Sequence, residues 1–179
     1  MVRVLALLVC LHVAVISASL EAIEVKHKWS IKKIKKIESI LTKEQKTFEL
    51  GLITLSDLIS WNQKLFSAKK EKLDLEYKWK AKENPKDMSN VDFEDDINYV
   101  SAMLNISIKQ VNFFEKLLPL VKSSITVGQM NEVDLEIFSL NALEAYSQYE
   151  YTLKLYKDHT KTRIPYKLPS DIVKTLEGF

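Results

Sequence analysis

The feature that most constrains this chain is a stretch that occurs twice, 77 residues apart, at Gly51–Leu58 and at Gly128–Leu135. Aligned without a gap, the two copies share the glycine, an aspartate and the leucine that follows the aspartate. A glycine ends a helix well, because without a Cβ atom it adopts the left-handed conformation at little cost. Each copy is therefore expected to end one helix at its glycine and to begin another within a few residues.

Both copies also carry the residues of a helix N-terminus. Thr54 and Asn131 follow the glycines by three residues and are of the types that cap helices. Asp57 and Asp134 then fall at the third helical position, where a carboxylate accepts hydrogen bonds from backbone N–H groups and favours the positive end of the helix. The repeat thus predicts two helix–helix joints of the same design.

The match extends beyond the joints on both sides. Residues of similar character coincide at the same spacing: Ser30 with Ser107, Ile37 with Phe114, Glu38 with Glu115, Leu41 with Leu118, and Ala68 with Ala145. We therefore expect an all-α protein, an antiparallel four-helix bundle made of two duplicated helical hairpins at about residues 20–82 and 91–158. Residues 159–179 have no counterpart, and their prolines indicate an extended C-terminal strap that lies across the bundle and ends in a short helix.

The N-terminus has the form of a secretory signal. Arg3 supplies the positive start, residues 4–16 form an apolar stretch, and Ser-Ala-Ser at residues 17–19 resembles a cleavage site. The apolar stretch is shorter than the roughly 20 residues that span a bilayer. We expect a signal peptide at residues 1–19 and a single secreted, extracellular domain at residues 20–179, which is long enough to bury its own core.

Composition favours long helices held together by packing alone. Only three glycines and four prolines occur in 179 residues, of which 46% are apolar. The single cysteine, Cys10, lies in the signal segment, so no disulfide is expected. With 26 basic and 24 acidic residues the charge is nearly balanced, which excludes the strongly basic character of a nucleic-acid binder.

The apolar periodicity places four helices at about residues 20–50, 55–82, 93–123 and 132–158. Pro85 ends the second, since the residue before a proline disfavours the helical conformation. Pro119 lacks the N–H that would bond back one turn and is expected to kink or end the third. The buried face of the third helix is expected to include Ile97 and Ile108, and that of the fourth to include Phe138 and the pair Ala142/Leu143.

Few residues suggest chemistry. Beyond the signal the chain has two histidines, His27 and His159, and no cysteine, so a zinc site of the usual kind is hard to assemble. Four carboxylates stand together at the start of the third helix, at Asp92, Glu94, Asp95 and Asp96. They lack the alternating spacing and the glycine of a calcium loop, and they suit the positive end of a helix dipole. We expect no catalytic residues, no metal and no cofactor.

The first helix is amphipathic and basic. Four lysines lie opposite its isoleucine stripe: Lys32, Lys33, Lys35 and Lys36. Such a face can lie on an anionic membrane, and Trp29 points toward it. It is also what the solvated face of a bundle helix looks like, and we favour this second interpretation because the isoleucine stripe has a partner in the other hairpin.

The fourth helix carries candidates for a ligand or partner surface. They are the four tyrosines Tyr146, Tyr149, Tyr151 and Tyr156. Phenols suit a partly polar binding surface, because the ring is apolar and the hydroxyl needs a partner, although the rim of a core accounts for them as well. Glu38 and Glu115 lie at the edge of an apolar stripe in both halves. They either face each other, which would raise one pKa, or face Lys32 and Lys109, or lie just outside the core and reach water, which we favour.

Asn105 begins an Asn-Ile-Ser glycosylation acceptor and lies off the apolar face of its helix. Taken together, these features predict a secreted, non-enzymatic helical binding protein that acts in extracellular fluid. A protein partner is preferred over an apolar small molecule, and nucleic acid is not expected. The alternative function is that of a membrane-surface-active protein that uses the basic first helix.

Overall fold

The structure, a computed structural model, describes the backbone of residues 2–83, 94 and 96–161 and the side chains of residues 20–80, 94 and 96–161. In these residues there are no strands and four helices: α1 (Val2–Glu49), α2 (Leu55–Glu83), α3 (Ile97–Thr126) and α4 (Glu132–Thr160). The expected all-α fold is confirmed. The expected C-terminal strap begins within α4, and its residues 162–179 lie outside the described part of the chain, as does most of the linker between the hairpins.

The two joints adopt the same backbone conformation. Gly51 and Gly128 have φ angles of 72° and 71°, in the left-handed region that glycine tolerates best. In both joints the glycine N–H bonds to the carbonyl three residues back, and the next N–H bonds to the carbonyl five residues back. These two hydrogen bonds define a Schellman motif, which satisfies carbonyls that the end of the helix leaves without partners.

The caps form as expected on both helices that follow. Thr54 Oγ1 accepts from the Asp57 N–H at 3.1 Å, while the Asp57 carboxylate accepts from the Thr54 N–H at 3.2 Å. Asn131 and Asp134 exchange the equivalent pair of hydrogen bonds at 3.0 and 3.1 Å. Hydrogen bonds from the side chain and backbone of Thr54 lower the pKa of Asp57. The reciprocal pairs are capping boxes, so the predicted design of the joints is confirmed.

Two helix boundaries differ from those expected. α1 begins at Val2 instead of near residue 20, and no glycine or proline interrupts the chain before Gly51. α3 begins at Ile97 instead of near residue 93, because the Asp96 carboxylate accepts the N–H groups of the first turn and fixes the cap there. α3 also continues through Pro119 to Thr126, so the proline does not end the helix.

The helices pack as a bundle that is open on one side. A shallow cavity is lined by residues of both joints, which places the joints side by side at one end. α1 packs along α2 and α3 along α4, while α2 also packs on α3 and, less extensively, on α4. Among the described residues α1 and α4 do not pack as neighbours. α1 therefore rests mainly on α2, at the edge of the group formed by α2, α3 and α4.

The main core lies toward the joints. Phe114 of α3, Phe138 of α4 and Leu58 of α2 are fully buried there, with the two phenyl rings edge to face at 5.7 Å. A smaller cluster at the other end joins α2 to α3. The assignment of Ile97 and Ile108 to the buried face of α3 was wrong, because both are exposed; of the pair Ala142/Leu143 on α4, Ala142 is fully buried and Leu143 is exposed. The pairing of α3 with α2 and of α4 with α3 turns these side chains outward.

Candidate functional site

The outer side of α4 carries an apolar surface that no part of the described structure covers. It consists of four exposed side chains, here called the α4 stripe: Val133, Ile137, Leu140 and Leu143. Val133 is 60% exposed and Leu140 61%. At 3.6 residues per turn the first three lie on one side of the helix, opposite the fully buried Phe138. A contiguous apolar patch on a protein surface is typical of an interaction site.

Three of the four stripe positions are polar in α2, and the fourth, Leu143, aligns with Phe66. In the 77-residue alignment Val133, Ile137 and Leu140 fall on three hydrophilic residues of α2: Ser56, Ser60 and Gln63. Both helices begin at the same kind of joint, and each buries the side that lies opposite to these positions. The apolar character of the α4 stripe is thus not required by the shared architecture. Comparison of the two halves at these positions is the sequence signal that identifies the α4 stripe. Apolar periodicity identifies only the buried side of each helix.

Only acidic charges accompany the α4 stripe. Glu132, Glu136 and Glu144 are exposed on or beside it, and no lysine or arginine occurs in α4 before Lys154. Neighbouring like charges raise the negative potential around an apolar patch and favour a partner of opposite charge. The stripe therefore combines an apolar centre with an acidic border.

A second candidate site is the groove that remains where α1 rests on the other helices. It has a volume of about 500 Å³ and is half open to solvent. We call it the α1–α3 groove, because α1 and α3 form its walls and α2 its floor. Its lining includes seven apolar side chains: Leu41, Phe48, Leu58, Leu65, Phe113, Leu117 and Leu120. The volume lies within the roughly 300–1,000 Å³ typical of small-molecule sites.

Polar groups without partners lie along this groove. Asn62 of α2 is only 6% exposed, and its Nδ2 makes no hydrogen bond. Lys109 and Lys116 of α3 also line the groove and form no ion pair among the described residues. A neighbouring cavity of about 40 Å³ shares Asn62 and Lys109 with the groove and adds Gln110, whose Oε1 is likewise buried without a partner. Buried polar groups of this kind normally find a protein, water or ligand partner.

The four tyrosines of α4 do not form one surface. Tyr146 is buried in the main core, and its hydroxyl donates to Glu115 Oε1 at 3.3 Å. Tyr149 is partly buried beside that core, and burial together with the Glu115 charge raises the pKa of its hydroxyl. Tyr151 is exposed and donates to Glu94 Oε2 at 2.6 Å, while Tyr156 is half-buried. They lie along the helix with different surroundings, so the structure does not bring them together.

The four lysines of the predicted membrane face, Lys32, Lys33, Lys35 and Lys36, are all exposed. Lys33 Nζ lies 2.9 Å from Glu71 Oε2 of α2, and Lys32 Nζ lies 4.7 Å from the centre of the Trp29 ring. Trp29 itself is 64% exposed. One lysine of the predicted membrane face is thus engaged within the protein, while Lys35 and Lys36 have no ion-pair partner among the described residues.

Glu38 and Glu115 do not face each other as a carboxylate pair. Glu38 is exposed and forms an ion pair with Lys69 Nζ at 2.8 Å. Glu115 is half-buried and accepts the Tyr146 hydroxyl. Lys69 and Tyr146 are themselves 77 residues apart, so they occupy equivalent positions in the second helix of each hairpin. Each glutamate therefore contacts the equivalent residue of its own hairpin.

The two histidines belong to different helices. His27 Nε2 lies 3.0 Å from Glu76 Oε1, which also accepts from Lys72 Nζ at 2.5 Å. Burial raises the pKa of Glu76, but the hydrogen bonds and charges of Lys72 and His27 outweigh it, so the net pKa is lowered. His159, near the end of α4, lies 2.6 Å from the Glu94 carbonyl oxygen. Among the residues with described side chains, no cluster of three or more potential ligands could hold a metal ion.

Asn105 is exposed on α3, where a glycan would not meet the core. Within the described part of the chain, none of the helices is both long and apolar enough to cross a membrane. No family model, curated protein or solved structure matches the sequence. The α4 stripe and the α1–α3 groove are therefore the basis for assigning a function.

Proposed function

We propose that the protein is a secreted, non-enzymatic helical binding protein that recognises an extracellular protein through the α4 stripe. The observation that carries this proposal is the exchange of three polar residues on α2 for Val133, Ile137 and Leu140 on α4. Each of these apolar side chains is exposed, and each loses contact with water when a partner covers it. The secretory form of residues 1–19 supports an extracellular location.

The acidic border defines the chemistry of the partner. Glu132, Glu136 and Glu144 would meet positively charged groups, and the stripe between them would meet an apolar surface. A partner that fits is an amphipathic segment with an apolar centre and basic edges, as in helix-in-groove or helix-on-helix recognition. Charge complementarity of this kind acts mainly on the association rate, so binding should weaken as salt is added.

The test replaces the stripe with the residues that α2 carries at the same positions. A triple variant with Val133→Ser, Ile137→Ser and Leu140→Gln is captured on a resin beside the unaltered protein, and both are exposed to the fluid into which the protein is secreted. We expect the unaltered protein to retain a partner that the triple variant loses. Because these side chains are exposed, each change should alter the free energy of unfolding by less than about 0.5 kcal/mol.

Ile108→Gln is the matched control, because Ile108 lies on α3 outside the stripe and is as exposed as Ile137. It should retain the partner in full. Equal capture by the unaltered protein and the triple variant would contradict the proposal. Sedimentation of the unaltered protein as a dimer, lost in the triple variant, would identify the partner as a second copy of the chain.

A second candidate function is binding to anionic membrane surfaces through α1. It is favoured by the exposure of Trp29 and Val25 next to Lys32, Lys33, Lys35 and Lys36. Tryptophan prefers the interface between water and lipid, and lysines are attracted by anionic headgroups. Co-sedimentation with vesicles containing phosphatidylserine tests it: replacement of the four lysines by Gln should abolish binding. Absence of binding by the unaltered protein at low salt would rule this function out.

We also propose that the two hairpins descend from one by duplication. Support comes from the matching joints, from Glu38 and Glu115 meeting equivalent positions, and from two buried serines at the same spacing. Ser30 and Ser107 each donate to a carbonyl in the preceding turn of the helix, at 2.7 and 3.0 Å. A crystal structure in which residues 30–80 failed to superpose on residues 107–157 would contradict the duplication. The same structure would test the proposed C-terminal strap.

Glycosylation at Asn105 follows from the proposed secretion. Intact mass before and after treatment with an amidase that removes N-linked glycans tests it on the secreted protein. A mass decrease that is absent in Asn105→Gln is the expected result. The same spectrum locates the mature N-terminus, which we expect at Leu20.

A further inference from the structure

We propose that the α1–α3 groove is a binding site for an amphiphile that bears a single carboxylate, of the class of medium-chain fatty acids. Its alkyl chain would lie against the apolar lining of the groove, and its carboxylate would lie at the end marked by Lys109. The site is built from α1, α2 and α3 and includes no residue of α4. It is therefore distinct from the α4 stripe and does not depend on the proposed function.

The apolar part of the groove suits an alkyl chain. From Lys109 to Leu120 the groove follows α3 for about 16 Å, at ~1.5 Å per residue. Phe48 and Leu41 of α1 face it from the opposite wall. A chain of methylene groups in this position would remove apolar surface of both ligand and protein from water, which contributes about 0.8 kcal/mol per buried CH₂.

The polar end of the groove suits a carboxylate. Asn62 is more than nine-tenths buried, and its Nδ2 has neither an acceptor nor exposed surface, so it lies beneath the polar end of the groove and not within reach of a ligand in it. Lys109 stands beside it, since both residues line the groove and the adjoining small cavity. Lys116 follows two turns further along α3, on the same wall. The Lys109 ammonium is a charged donor for the oxygens of a carboxylate, and Lys116 adds a second positive charge on the same wall.

The charges of the groove also set the direction of the ligand. Glu49 is the last residue of α1 and lines the groove near the joint, at the end away from Lys109. Its carboxylate would repel a ligand carboxylate placed there. The ligand should therefore point its charged group away from the joints and its alkyl end toward Phe48 and Leu120.

The test uses laurate as the probe and dodecyltrimethylammonium as a control of equal chain length and opposite charge, both below their micelle concentrations. Isothermal titration with the full chain should give one laurate site per protein and much weaker binding of the cation. The double variant Lys109→Gln/Lys116→Gln should weaken laurate binding by about tenfold or more, since it removes two charged donors. Lys122→Gln, a change of the same kind on exposed α3 surface outside the groove, should leave the affinity unchanged.

A second variant tests the apolar part of the site. Asn112 is exposed at the rim of the groove, so Asn112→Trp should fill the groove without disturbing the core and should abolish laurate binding. Laurate binding that is unaffected by both variants would overturn the assignment, as would equal affinity for the cation. The triple variant of the α4 stripe should bind laurate with unchanged affinity. A failure of the groove proposal can therefore be told apart from a failure of the proposed function.

Discussion

Replacing Gly51 and Gly128 by alanine, one at a time, should destabilise the protein by nearly the same amount. The two glycines have φ angles of 72° and 71°, and an added Cβ atom would meet nothing within 4 Å at either position. Steric collision with the rest of the protein therefore contributes nothing. What remains is the cost of placing an L-residue in the left-handed region, about 1–2 kcal/mol.

Part of that cost is offset in the unfolded chain, because alanine has less conformational freedom to lose than glycine, by roughly 0.4–1 kcal/mol. The net loss should be about 1 kcal/mol for each variant. Since the joints do not share hydrogen bonds, the double variant should lose about 2 kcal/mol. Urea unfolding followed by far-ultraviolet circular dichroism measures all three values on one scale.

The control is Ser147→Ala on the exposed side of α4, where the change from a polar to an apolar small residue should alter stability by less than about 0.5 kcal/mol. A difference of more than about 1 kcal/mol between Gly51→Ala and Gly128→Ala would refute the equivalence of the joints. Stabilisation by either change would refute the left-handed conformation at that position.

Three further predictions concern stability. Phe138→Ala should lower the free energy of unfolding by about 3–5 kcal/mol, because the ring is fully buried. Leu143→Ala, at an exposed position, should lower it by less than about 0.5 kcal/mol. Chemical denaturation measures both values, and similar losses for the two variants would show that the burial is misassigned. Asn62→Leu should stabilise the protein by about 1 kcal/mol, because it removes an unsatisfied buried amide beside a small cavity, and a clear loss of thermal stability would instead indicate a water held there. Glu76 has a lowered pKa in the folded state, so its contribution is present above the ordinary glutamate pKa of about 4.3 and is lost as the pH falls through the lower folded value. The unaltered protein should therefore lose more stability than Glu76→Gln between about pH 5 and 3, and parallel pH profiles would count against the pairing with Lys72.

The local features of the fold could be predicted because they depend on a few adjacent residues. Glycine conformation and capping at the joints follow from residue types at fixed spacing, and the structure reproduces both. The path of α3 through Pro119 was less predictable, because the tolerance of a proline depends on what surrounds the freed carbonyl. The start of α3 was also hard to predict, because several neighbouring carboxylates could cap the helix. In the structure Asp96 is the N-cap residue.

The α4 stripe and the α1–α3 groove depend on how the helices pack, and the sequence did not predict them. Periodicity assigned Leu143 to the core, but the contact of α4 with α2 and α3 leaves this side chain exposed. The groove exists because α1 rests on α2 without reaching α4, and no local pattern specifies that arrangement. The tyrosines of α4 drew attention in the sequence because phenols suit binding sites, yet Tyr146 serves the core.

Site-specific photocrosslinking tests the proposed partner surface most directly. Val133 and Ser56 occupy the same position after the two joints, one on the α4 stripe and the other on the polar face of α2, and both are exposed. A photoreactive residue placed at each position in turn, and irradiated in extracellular fluid of the source organism, should form an adduct with a second protein from position 133 and none from position 56. Adducts of equal yield from both positions, or none from position 133, would contradict recognition through α4.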